Sequence, residues 1–147
     1  MIEDMKIYRV YCNPEGMEEL CSRSPFNLKK DLKHIRDEEL KEICEEVANE
    51  LKQGEDHPPI VSPMYWTPTR HTLYAKIRTM DVGRDAGKSN GYRCIALVDA
   101  KHQLAFILHI YRHGHGEDKT IDFKATKRLR ALADEYEASM EAWMENR

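Results

Sequence analysis

The sequence predicts an α+β protein: a small antiparallel β-sheet flanked by N-terminal helices and a long C-terminal helix. Three observations carry this. Residues 71–80 alternate as half-buried strands do, residues 92–98 read as a strand, and residues 104–112 are apolar on nearly both faces. Residues 37–52 and 123–144 instead place their apolar positions at helical spacing. No apolar run approaches the roughly 20 residues that a membrane helix needs.

In chain order, residues 6–12 (KIYRVYC) read as a short first strand, closed by the turn Asn13-Pro14-Glu15-Gly16. Met17 to Cys21 fit a short helical piece, and Ser24-Pro25 fits a cap followed by a first-turn proline. The helix over 37–52 carries Leu40, Ile43, Cys44, Val47 and Leu51 on one stripe, with Asp37 as N-cap and Gly54 past its end. Its glutamates form a solvated face. Residues 54–70 hold four prolines and read as a loop that packs through Met64, Tyr65 and Trp66.

In the strand over 71–80, Leu73, Ala75 and Ile77 face one side and Tyr74, Lys76 and Arg78 the other. A polar loop follows. The short turn at 99–102 then makes 92–98 and 104–112 an antiparallel hairpin. Residues 113–119 are a loop. The final helix lines up Leu129, Leu132, Ala133, Tyr136, Met140 and Trp143. A 147-residue chain of this kind fits a single domain, 1–147.

Charge is unevenly spread. The net charge is -3, yet residues 1–63 carry 9 Lys/Arg against 15 Asp/Glu, residues 64–130 carry 13 against 6, and residues 131–147 carry 1 against 5. A basic middle between acidic ends fits a localised anion site, because phosphate binding follows local potential. Helix faces of differing charge would give the same count. The acidic, mixed N-terminus has no apolar core like a signal peptide's, and the expected location is cytoplasmic with no membrane association. The four cysteines show no C-x-x-C pair and read as buried thiols.

The chemistry concentrates in residues 74–119. Lys76 and Arg78 share a strand face. The loop adds Arg84, Lys88 and Ser89, the next strand opens with Tyr92 and Arg93, and the last ends at Tyr111-Arg112 before His113, His115 and Lys119. With one strand starting where its partner ends, Arg93 and Arg112 should be neighbours at one rim of the sheet. Arginine forks and glycine-rich amides suit phosphate oxygens. Tyr92 and Tyr111 suit stacking on unpaired bases. Cleavage of RNA needs a base for the 2′-hydroxyl, a cation for the phosphorane and an acid for the leaving oxygen. Histidine fits the first and last of these tasks and arginine the second. Plainer readings stand beside these. Lys76 and Arg78 would equally solubilise a strand, Gly87 and Gly91 would serve the turn, and His109 would be a satisfied core histidine. His71 and His102 read as surface residues. The His-x-His of 113–115 lacks a third ligand at a telling spacing, so neither metal nor cofactor is expected.

The run Arg84-Asp85-Ala86-Gly87-Lys88-Ser89-Asn90-Gly91-Tyr92-Arg93 resembles the R-x-x-G-K-S-G-G-Y-R segment of RelE/HigB-group toxins. The later strand Ala105-Phe106-Ile107-Leu108-His109-Ile110-Tyr111-Arg112 resembles that group's A-F-x-L-x-x-Y-x-K, and Leu129 and Leu132 fall in a following helix as in the family. The likeness covers about residues 73–135. It implies a RelE-like microbial ribonuclease fold, and a metal-independent endoribonuclease that cleaves messenger RNA, commonly on the ribosome. It also implies a partner antitoxin that neutralises it. Matching positions imply Arg93 as a phosphate ligand and Arg112 at a basic position, with Lys76, Arg78 and Lys88 in the basic set; on chemistry alone His113 or His115 is the acid-base candidate, with Tyr111 and Lys88 in support. Asn90 departs from the glycine pair, though asparagine tolerates a left-handed turn. The His-Gly-His-Gly run lies outside the family pattern. The competing reading is a non-catalytic nucleic-acid- or protein-binding module on the same fold, phage-derived or carried by a mobile element.

Overall fold

A computed structural model describes residues 7–12, 24–53, 61–79, 92–112 and 123–145; for Gln53, residues 61–63, Arg112, residues 123–125, Trp143 and Met144 it describes the backbone alone. The elements are β1 (Arg9–Cys12), α1 (Leu28–Leu32), α2 (Asp37–Gln53), β2 (Val61–Trp66), β3 (Thr72–Arg78), β4 (Tyr92–Asp99), β5 (Leu104–Arg112) and α3 (Phe123–Glu145). They form a mixed α+β fold around one five-stranded sheet, ordered β1-β5-β4-β3-β2.

Strands β2 to β5 pair antiparallel; the β4–β5 hairpin is the one the short 99–102 turn predicts. Strand β1 departs from the expected all-antiparallel sheet, because it pairs parallel to β5. A parallel neighbour needs a crossover rather than a tight turn, and here helices and three strands intervene. Gln103, in the left-handed region at φ 59, ends the β4–β5 turn. Its carbonyl accepts the Arg9 amide at 3.0 Å, and its side-chain oxygen accepts the Ile7 amide at 3.1 Å, which fixes where β1 begins.

Strand β2 corrects the expectation of a loop through 54–70. Pro63 cannot donate to a ladder, which argues against an interior strand, but β2 lies at the sheet edge where one row of amides has no neighbour. The register slips between Pro63 and Tyr65. Two helix starts also differ from expectation. Asn27, not Ser24, caps α1, its side chain accepting the Lys30 amide at 3.1 Å. At α2 the cap falls on Arg36, whose amide donates back to Glu39 at 3.4 Å, so Asp37 opens the first turn instead. The helical piece expected at 17–21 lies outside the described residues.

The sheet separates two cores. On one face Leu73, Ala75, Ile77, Tyr92, Cys94, Ala96, Val98, Ala105, Ile107 and Ile110 pack against Ile43, Val47 and Leu51 of α2. On the other, Tyr74, Leu97, Phe106 and Leu108 pack against Leu129, Leu132, Ala133 and Tyr136 of α3. Both helical stripes fall where their spacing predicts, apart from Trp143, whose side chain lies outside the described residues. Hydrogen bonds pin α3: Tyr74 donates to the Leu129 carbonyl at 2.6 Å and Tyr136 to Asp99 at 2.7 Å. With Glu141 on Lys101 at 3.0 Å, α3 runs from the Tyr74 side toward the β4–β5 turn. Of the cysteines among the described residues, Cys94 is buried and Cys12 and Cys44 are half-buried, all as thiols; Cys21 lies outside them. Burial pushes the Cys94 and Cys44 thiols up. No helix among the described residues is long and apolar enough to cross a membrane.

Candidate functional site

Residues directly opposite one another in adjacent strands point to the same face. The α3 face therefore carries four rows across β3, β4 and β5. Thr72 stands with Asp99 and Leu104, and Tyr74 with Leu97 and Phe106. Lys76 stands with Ile95 and His109, and Arg78 with Arg93 and Tyr111. The apolar core under α3 draws on the first two rows, and the basic residues occupy the last two. Lys76 and Arg78 are half-buried. Arg78 and Arg93 stand directly opposite one another in β3 and β4.

Three expectations about this cluster change. Arg93 is 2% exposed, so its guanidinium sits beneath the surface rather than open to a ligand. The neighbour of Arg93 in the sheet is Tyr111, while Arg112 is the register partner of Tyr92. A one-residue offset changes the face, so the backbone positions of Arg93 and Arg112 belong to different rows. Tyr92 lies in the core on the α2 face, 3% exposed, with its hydroxyl donating to Glu39 at 3.5 Å. It therefore cannot stack on a base beside Tyr111, which is itself 5% exposed. Arg84, Lys88, Ser89, His113, His115 and Lys119 lie outside the described residues.

The structure adds two residues to this end of the sheet, His109 and Asp31. The register between β4 and β5 shifts between Ile95 and Ala96, leaving Leu108 as an extra residue in β5. Without that bulge His109 would continue the alternation into the α2-side core. With it, Leu108 and His109 both fall on the α3 face, Ile110 takes the core position, and Tyr111 returns opposite Arg93. His109 is a satisfied, largely buried histidine, its side chain 12% exposed, but it stands on the α3 face and not in the α2-side core. Its ring stacks between Phe26 and Tyr111, each centroid 4.8 Å away. Its Nδ1 lies 2.8 Å from Asp31 Oδ2, and the same oxygen accepts the Ile110 amide at 3.1 Å. Asp31 stands on α1, which lies against β5 beyond the stretch paired to β1, so its carboxylate covers an edge amide that β1 does not reach. The sequence gives little sign of this pair, because 78 residues separate the partners and the bulge has no glycine to mark it.

A second polar cluster occupies the opposite end of the same face. Asp99, 2% exposed, accepts from the Tyr136 hydroxyl at 2.7 Å and from the His102 amide at 2.9 Å, with His102 Nδ1 at 2.8 Å. His102 is thus half-buried and tethered, not the surface residue expected; His71 is exposed. Burial and the Asp99 carboxylate both push the Tyr136 phenol far up. Burial also pushes Glu137 upward, but threonine hydroxyls, with Thr67 and Thr69 donating at 2.5 and 2.8 Å, bring its carboxyl below the ordinary range. These bonds join α3 to the β2–β3 and β4–β5 turns. Among the described residues no group of three or more His, Cys, Asp or Glu side chains is placed to hold a metal ion.

No family model, curated relative or solved structure matches the chain. The likeness to RelE/HigB toxins thus stands on the quoted residues alone.

Proposed function

We propose that the protein is a RelE/HigB-like endoribonuclease acting on messenger RNA in the cytoplasm, the toxin half of a pair neutralised by an antitoxin protein. The observation that carries the reading is the shared placement of Lys76, Arg78, Arg93 and Tyr111 on one end of one sheet face, beyond the apolar core under α3. Lys76 and Arg78 meet the phosphate backbone. Arg93 acts from beneath them, adding positive potential where a phosphorane would gain charge. The burial of Arg93 favours a second reading, a binding module that docks RNA on Lys76 and Arg78 without cleaving it.

Purified protein with translating ribosomes separates the two, since an enzyme shortens messages and a binder only retains them. Under the first reading, Lys76→Ala with Arg78→Ala lowers cleavage about 100-fold, the scale of removing one electrostatic stabiliser. The variant also relieves growth arrest and keeps a wild-type circular dichroism spectrum. Cleavage at the wild-type rate by the folded double variant would remove both residues from the site.

A further inference from the structure

We infer that His109, held by Asp31, is the proton-transfer group of the basic face. The inference rests on the endoribonuclease reading above and names a pair that the RelE/HigB likeness does not supply, because Asp31 lies far upstream of the matching segment.

The geometry has three parts. First, an ionised carboxylate only accepts, so Asp31 Oδ2 at 2.8 Å assigns the hydrogen of the neutral imidazole to Nδ1. That leaves the lone pair on Nε2, at the far side of the ring from Asp31. Second, the carboxylate is itself fixed, by the Ile110 amide at 3.1 Å, and the ring is held between Phe26 and Tyr111. A proton carrier oriented by a second group that is in turn anchored is what acid-base catalysis requires of its base. Third, the bulge at Leu108 does more than seat that leucine in the core under α3. Its consequence is to bring His109 onto the face of Lys76, Arg78 and Arg93 instead of the core. Of the histidines among the described residues, His34 lies after α1, His71 and His102 lie at the opposite end, and His109 alone stands in the basic rows.

In the step this implies, Nε2 of His109 takes the proton of a ribose 2′-hydroxyl. The O2′–P bond forms and the P–O5′ bond breaks, giving a 2′,3′-cyclic phosphate, and the departing O5′ takes a proton from water. Asp31 is a positioning residue, since it acts through the imidazole.

The test is cleavage of a ribosome-bound message by wild type, His109→Asn, Asp31→Asn and the double variant. Asparagine at 109 retains an amide donor for Asp31 but has nothing in place of Nε2. The expected result is a fall in kcat of about 10²-fold or more for His109→Asn. KM for RNA and the thermal midpoint stay near wild type. Asp31→Asn lowers kcat less, and the double variant is no slower than His109→Asn alone, because the pair acts as one unit. A merely structural Asp31 would give additive losses. If His109→Asn does not fold, carbethoxylation of wild type by diethyl pyrocarbonate carries the test: activity should fall in step with modification of His109, as read by peptide mass. Wild-type turnover by folded His109→Asn, or full activity with His109 modified or unreactive, overturns the inference and leaves the endoribonuclease reading standing. Failure of wild type to cleave any message overturns both.

Discussion

Asp99 shows how far single side chains shape this molecule. It is buried, and it collects the Tyr136 hydroxyl and the His102 amide on one carboxylate, with the His102 ring beside it. Removing one partner of a buried hydrogen bond to a charged group costs about 1–3 kcal/mol. Tyr136→Phe should therefore lower stability to denaturant by about that amount, with no change in the slope m. The pH dependence follows from the raised Tyr136 phenol. In the unfolded chain a tyrosine titrates near about 10, and in the fold Tyr136 stays protonated above that. Its contribution is complete below about pH 10 and is lost as pH rises further. Stability curves should show wild type losing more than Tyr136→Phe above pH 10; equal losses would mean that the hydroxyl does not depend on Asp99. Residue identity alone said little here. His102 looked like a surface histidine because its partner is set by a turn three residues back, where Asp99 also meets a helix 37 residues further on.

Among the elements, α3 carries its charges in an order that the helix dipole disfavours. Its first half holds Lys124, Lys127, Arg128 and Arg130, its second half Asp134, Glu135, Glu137, Glu141 and Glu145, with no acid in the first turn and no base in the last. Cations at a helix N-terminus and anions at its C-terminus oppose the macrodipole, at about 0.3–1 kcal/mol each near the ends. Under the proposed function this basic half offers further phosphate contacts; Lys127, Arg128 and Arg130 are exposed. Lys124→Glu with Lys127→Glu should raise the thermal midpoint by about 2–4 °C while weakening RNA retention. A higher midpoint with RNA affinity unchanged would make the basic half incidental.

Element by element, the sequence reveals what periodicity can express. The bounds of β5 are visible because both its faces are apolar, and α2 and α3 because their stripes are long. Strand β2 is hidden by Pro63, since only its edge position makes a proline acceptable. The parallel pairing of β1 depends on a partner nearly a hundred residues away. The candidate site is legible to the same depth. The common face of Lys76 and Arg78 follows from alternation, but the bulge that turns His109 and Tyr111 toward them is a register property with no mark in the local residues.

At the scale of the whole molecule, one sheet face is divided between two tasks. Near the β4–β5 turn it is bolted to α3 by Asp99, Tyr136, Glu137 and the Lys101–Glu141 pair. At the other end it presents Lys76 and Arg78 over Arg93. The acidic side chains are not all remote from that end: Asp31 stands there against His109, Glu39 of α2 accepts from Tyr92 on the opposite face, and the acids of α3 lie on its later turns. A net charge of -3 thus coexists with Lys76, Arg78 and Arg93 gathered at one end of one sheet face. Binding to single-stranded RNA releases counterions, and the logarithm of the affinity falls with the logarithm of salt by about 0.7 per phosphate neutralised. Under the proposed function, Lys76 and Arg78 with one basic residue from the first half of α3 would neutralise about three phosphates, for a slope of about -2. Replacing Lys76 and Arg78 by alanine should flatten it to about -0.7, and replacing acidic residues of α2 should leave it unchanged. Fluorescence anisotropy of a labelled single strand between 50 and about 200 mM salt measures it. A slope near zero would mean that the basic rows hold no phosphate, and that the uneven charge of the chain belongs to its helices instead.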